Sequence, residues 1–192
     1  MQAGRVMKCF LATVLLTLCA ATANAAIIHY DVNRTIGDGT VTGFIETYGK
    51  LGVLSKDDIH DWTLTLTAPN INLGSPDTIT NGDTFLRGTA VSATSTQLLY
   101  NFDITGTNYL YLAGASGNFW CLETNTCIDD GSEQIELIEQ IGHNDNGGKV
   151  AQFVHHTGTI AFANAAVIPV PAAVWLFGSG LIGLIGFAWR KR

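Results

Sequence analysis

The stretch DWTLTLT, Asp61 to Thr67, alternates strictly between two kinds of side chain. Side chains on a β-strand repeat every two residues, so Trp62, Leu64 and Leu66 share one face while Thr63, Thr65 and Thr67 take the other. A helix would scatter that apolar set around its axis, and a strand gathers it onto a core. Similar runs occur at Ile27 to Val32, Val41 to Tyr48, Phe85 to Val91, Gln97 to Asp103, Tyr109 to Ala113, Asn118 to Leu122, Val150 to His155 and Thr159 to Ala163. Turn formers separate them, as in GDG, NGD and TGT. The pattern predicts nine strands in an antiparallel all-β domain, a β-sandwich or jelly roll. Two stretches read differently. SKDDIHD places Ser55 three residues before Asp58, a capping box for a single helical turn. SEQIELIEQIG, Ser132 to Gly142, fits either a helical stripe of Ile135, Leu137, Ile138 and Ile141 or an alternating strand.

The two ends follow other rules. Arg5 and Lys8 precede an apolar core, Cys9 to Ala21, too short to span a bilayer. Ala23-Asn24-Ala25 then gives the small-x-small pattern of a signal-peptidase site, so residues 1–25 read as a signal peptide with the mature chain starting at Ala26. A lipoprotein reading of Cys19 is disfavoured by the bulky Leu18 before it. Residues 26–163 form the exported domain and residues 164–171 a small, apolar spacer. Residues 172–189 carry no charge, and 18 helical residues cover about 27 Å, near the thickness of a hydrocarbon core. Arg190, Lys191 and Arg192 form a membrane stop and hold the C-terminus in the cytoplasm by the positive-inside rule. Expected, then, is an all-β ectodomain plus one C-terminal transmembrane helix.

Charge and cysteines narrow the function. Residues 26–171 hold all 16 acidic residues against five basic ones (Arg34, Lys50, Lys56, Arg87, Lys149), a net charge of −11. Such a surface repels phosphate backbones and anionic headgroups, which argues against nucleic acid as a partner. Cys9 and Cys19 leave with the signal peptide, so Cys121 and Cys127 are the expected disulfide of an exported chain. Closing so short a loop adds about 2–3 kcal/mol at most. A metal site on these thiolates lacks further ligands at zinc-type spacing.

The strip before the apolar segment, Ile168-Pro169-Val170-Pro171-Ala172-Ala173, is kept extended by its prolines. This Pro-x-Pro strip, the helix beginning AAVWLFGSGLIGLIG and the basic tail together resemble the PEP-CTERM sorting signal of Gram-negative bacteria. Val170 stands where that signal usually has Glu, a departure familiar from its VPLPAA style. The resemblance implies export through the inner membrane, a transient anchor with the C-terminus in the cytoplasm, and recognition of Pro169, Val170 and Pro171 by exosortase, a membrane-embedded cysteine-type transpeptidase. Delivery to the cell surface or an extracellular polysaccharide matrix follows. The implied partners are signal peptidase, exosortase, the inner membrane and an exopolysaccharide. Similar tails are also labelled as the C-terminal domain of ice-binding proteins, a label that carries no evidence of ice binding. A fainter resemblance spans Gly39 to Leu66, similar to a stretch of many exported PEP-CTERM proteins, and implies a shared β scaffold without assigning chemistry.

The remaining candidates for chemistry are few. Glu123, Asp129, Asp130, Glu133 and Glu136 form the densest acidic cluster, which reads as a solvated loop beside the disulfide or as the acid and base of a glycosidase. Asp129 to Glu133 and His143 to Gly148 are oxygen-rich loops suited to a structural calcium ion; no other cofactor is expected. His155 and His156 face opposite sides of a strand, and His29, His60 and His143 are dispersed, so no histidine metal centre is expected. Thr63, Thr65 and Thr67 form a ladder of the kind that orders water, but one strand offers little flat area. Tyr100, Tyr109, Tyr111, Phe119 and Trp120 read equally as a sugar-stacking face or as core. No nucleophile elbow, phosphate loop or dinucleotide fingerprint occurs. The expected product is a non-enzymatic structural or adhesive protein, with a lectin-like module and a secreted hydrolase as alternatives.

Overall fold

A computed structural model describes residues 26–69, 71, 76–80, 82–125, 137–145 and 148–166. These residues fold into two antiparallel sheets. The first contains β1 (Ile28–Ile36), β2 (Gly39–Thr47), β3 (Gly52–Val53), β4 (Ile59–Thr67), β5 (Asp77–Thr80), β7 (Val91–Ala93), β8 (Gln97–Asn101) and β13 (Thr159–Ala165), in the order β3-β7-β8-β13-β1-β2-β4-β5. The second contains β6 (Asp83–Arg87), β9 (Tyr109–Ala113), β10 (Asn118–Glu123), β11 (Ile138–Asp145) and β12 (Gly148–His155), in the order β12-β11-β10-β9-β6. The last strand, β13, lies in the interior of the first sheet between β8 and β1, and its pairing with β1 joins chain segments more than a hundred residues apart.

The alternation seen in the sequence sets the core. Trp62, Leu64 and Leu66 of β4 are buried, as expected, with Tyr30, Val32 and Ile45 from the same sheet. Leu110, Leu112, Trp120, Leu122 and Ile141 meet them from the second sheet in one cluster. Burying each large side chain contributes about 1.5–3 kcal/mol. Trp62 Nε1 donates to Thr84 Oγ1 at 2.8 Å, so the buried indole N–H finds its partner across the two sheets. A smaller cluster of Ala113, Phe119 and Cys121 packs with Tyr109 and Tyr111, and all six residues of β10 are buried.

Some of these expectations are corrected, and others are met or decided. The run Phe85 to Val91 is two strands in different sheets: Gly88, with a φ of 81° that favours glycine, lets the chain leave β6 and enter β7. Strands β3 and β5 were not expected, since two or four residues carry too little alternation to register. SKDDIHD forms the expected single capped turn, a 3₁₀ turn at Lys56–Asp58, where the Asp58 carboxylate accepts bonds from the Ser55 N–H and hydroxyl, each 2.7 Å. Ile138–Asp145 is strand, resolving the ambiguity of the described part of SEQIELIEQIG; residues 132–136 lie outside the described set. Strand β13 runs on to Ala165, two residues into the stretch read as spacer. Among the described residues no helix is long and apolar enough to cross a membrane, and the segment 172–189 lies outside them.

Candidate functional site

The sorting strip follows directly on the folded sheet. Tyr30 of β1 pairs with Ala165 of β13, and the Ala166 N–H donates to the His29 carbonyl at 3.0 Å. At the other terminus the Ala26 carbonyl lies against Gly49, so close that a side chain at Gly49 would collide with it. Both described ends therefore leave the same pole of the sandwich. Ala26, the expected first residue of the mature chain, is exposed. Ala23, Ala25, Pro169, Val170, Pro171, Arg190, Lys191 and Arg192 lie outside the described residues.

Among the described residues, Glu139 on β11 is a carboxylate with no solvent exposure. Arg34 sits in phase with Tyr30, Val32 and Ile36 on β1, so its guanidinium enters between the sheets. Its Nε donates to Glu139 Oε1 at 3.0 Å and its Nη2 to Oε2 at 2.6 Å, a bidentate pair. Trp120 Nε1 donates to Oε1 at 3.2 Å, and His156 Nε2 lies 2.9 Å from Oε2. The bond to Glu139 raises the Arg34 pKa against the opposing effect of burial. With both oxygens engaged by protein groups, Glu139 has no lone pair aimed at a substrate; the arrangement clamps β1 to β11. The signal for this centre was present in the sequence, as an arginine in phase with three apolar residues. Its partner was not, because β1 and β11 are far apart in the chain.

Beside it lies a cavity of about 360 Å³, lined by Phe102, Ile104, Thr105, Gly106, Thr124 and Leu137 among others. Phe102, in its wall, packs against His156 with ring centroids 5.0 Å apart. Its polar wall is already hydrogen-bonded. Asn108 Nδ2 donates to the Gly106 carbonyl at 3.0 Å and Thr124 Oγ1 to the same oxygen at 2.9 Å. Asp103 accepts the Gly158 N–H at 2.9 Å. The size suits a small ligand.

Of the acidic cluster, Glu123 is buried and accepts a bond from Gln140 Nε2; Asp129, Asp130, Glu133 and Glu136 lie outside the described residues. Burial first, and the nearby Glu123 charge second, raise the Tyr100 phenol, whose hydroxyl donates to the Asn108 carbonyl at 2.7 Å. Cys121 is buried and disulfide-bonded, and Cys127 lies outside the described set. The calcium loop at 129–133 also falls outside it. Among the described residues no three His, Cys, Asp or Glu side chains are placed to hold a metal ion. Exposed His155 packs on Phe153, and His156 turns to Glu139, so the two take opposite sides.

Of the two readings of the aromatic residues, the core one holds for Tyr100, Phe119 and Trp120, which are buried, while Tyr109 and Tyr111 keep partial exposure. The threonine ladder is wider than one strand. Thr42, Thr65 and Thr78 line up across β2, β4 and β5, and the Thr65 and Thr78 hydroxyls bond each other at 3.1 Å.

Residues 167–192 match the family model of the PEP-CTERM protein-sorting motif. The chain thus carries a protein-sorting signal that begins one residue beyond Ala166. No curated protein and no solved structure matches the chain.

Proposed function

We propose that this is an exported cell-envelope or extracellular-matrix protein, processed by exosortase and acting as a structural or adhesive component. The observation that carries the reading is the sorting motif at residues 167–192, which begins in the sequence two residues after β13 ends. A cut within Pro169 to Pro171 would spare β13 and so keep the first sheet whole, which suits delivery of an intact domain. The saturated Glu139 clamp supports a structural role for the interior polar groups. The first test is the intact mass of the protein from its native cells, with exosortase present and deleted. The expected species begins at Ala26, ends near Pro171 and disappears in the deletion. A form still ending at Arg192 in both strains would refute processing and leave only an anchor.

The cavity at Phe102 and Leu137 favours a second reading, a carbohydrate-binding module. Glycan-array binding with and without a chelator separates it from a passive component, and also tests the calcium loops.

A further inference from the structure

Four of the six large apolar side chains exposed among the described residues, Ile27 (47%), Tyr48 (48%), Leu51 (56%) and Val53 (48%), gather toward one pole. The topology puts them there. Ile28 and Thr47 form the last pair between β1 and β2, so Ile27 and Tyr48 flank its outer end. Ala26 lies on Gly49, Leu51 follows in the same turn, and Val53 continues onto edge strand β3. This is also the pole from which the chain leaves after Ala166, held by the bond to the His29 carbonyl. The uncharged segment starting at Ala172 is six residues away, a span of at most about 20 Å even when fully extended.

We infer that this pole is a membrane-contact surface: while the chain is anchored, Ile27, Tyr48, Leu51 and Val53 rest in the headgroup region of the bilayer. The inference rests on the anchored, PEP-CTERM reading of the tail. Four exposed apolar side chains at one pole of an otherwise acidic domain mark a contact site, and tyrosine favours the level where one end of the ring is dry and the other wet. The five residues between Ala166 and Ala172 hold this pole near the surface into which the tail inserts, so the contact is intramolecular in effect and a weak patch suffices. Lys50, half-exposed at the same turn, gives its charge to Asp58 at 2.6 Å, so insertion is apolar rather than a basic attraction to anionic lipid. Phe153 provides an internal contrast. It is exposed to 55%, but its neighbour Gln152 lies against Gly37 at the far end of β1, away from the exit pole.

The test is hydroxyl-radical footprinting, read by mass spectrometry, of the full chain reconstituted in vesicles of phosphatidylethanolamine and phosphatidylglycerol. Flotation first selects vesicle-bound protein. Expected is several-fold slower labelling of Ile27, Tyr48, Leu51 and Val53 than their exposure would give, while Phe153 labels freely. The protection should persist on dilution into excess lipid. A floating chain whose exit pole labels as readily as Phe153 would overturn the inference while leaving the anchor intact. Protection lost on dilution would overturn it in favour of a second copy. A chain that does not float would overturn both the inference and the anchor reading beneath it.

Discussion

Replacing Arg34 by Met tests the interior clamp. Arg34 supplies two of the contacts to Glu139, and Glu139 is fully buried, so the variant leaves a carboxylate inside the sandwich with only Trp120 and His156. Hydrogen bonds to a charged group are worth about 1.5–3 kcal/mol each, and methionine restores about 1 kcal/mol by filling the space of the arginine stem. The expected net loss is about 3 kcal/mol, at the lower end of what breaking a buried ion pair costs. For a domain of this size that lowers Tm by about 10 °C. Removing both charges should be milder. In Arg34→Met/Glu139→Leu the Trp120 and His156 nitrogens lose an acceptor, about 1 kcal/mol each, but no charge is stranded. The double variant is therefore expected to be more stable than the single one. Urea unfolding of the purified protein, followed by the fluorescence of buried Trp62 and Trp120, reads both. A single variant losing less than about 1 kcal/mol, or a double variant losing the sum of the two singles, would refute the clamp.

Three further outcomes are expected. The Lys50 ammonium, with help from Ser55, lowers Asp58 to about 2. A depressed carboxylate stabilises the fold fully above its unfolded value of about 4 and loses that contribution as pH falls through its folded value of about 2, so Asp58→Asn should cost about 0.5 kcal/mol at neutral pH, because the pair is solvent-screened, and nothing below about pH 2. Gly142→Ala would place its methyl against the ring of fully buried Phe119, and an overpacking loss of about 2 kcal/mol in urea unfolding is expected; a change below about 0.5 kcal/mol would mean the ring can move aside. Peptide mapping without reductant should recover Cys121 linked to Cys127, and a free Cys127 would defeat the pairing.

The fold class was legible because alternation is a local property. DWTLTLT fixes which face of β4 is buried without reference to any other strand. Local chemistry also exposed the Ser55 and Asp58 turn. Where the sequence misled, the cause was distance along the chain. Phe85 to Val91 reads as one run, and only the sheets on either side of Gly88 decide that it is two strands. Tyr100, Phe119 and Trp120 could have faced a ligand or the core, and the choice depended on what the rest of the chain laid over them.

By itself, then, the sequence determined the β domain and the sorting signal at residues 167–192, because alternation, an uncharged run and a basic end act through neighbours in the chain. Tertiary structure alone decided that Arg34 meets Glu139, that β13 closes the first sheet beside β1, and that four exposed apolar residues gather toward the pole where the chain departs. Each of those depends on pairing segments far apart in the chain. Burial favours such pairings collectively, and no short stretch of sequence encodes them.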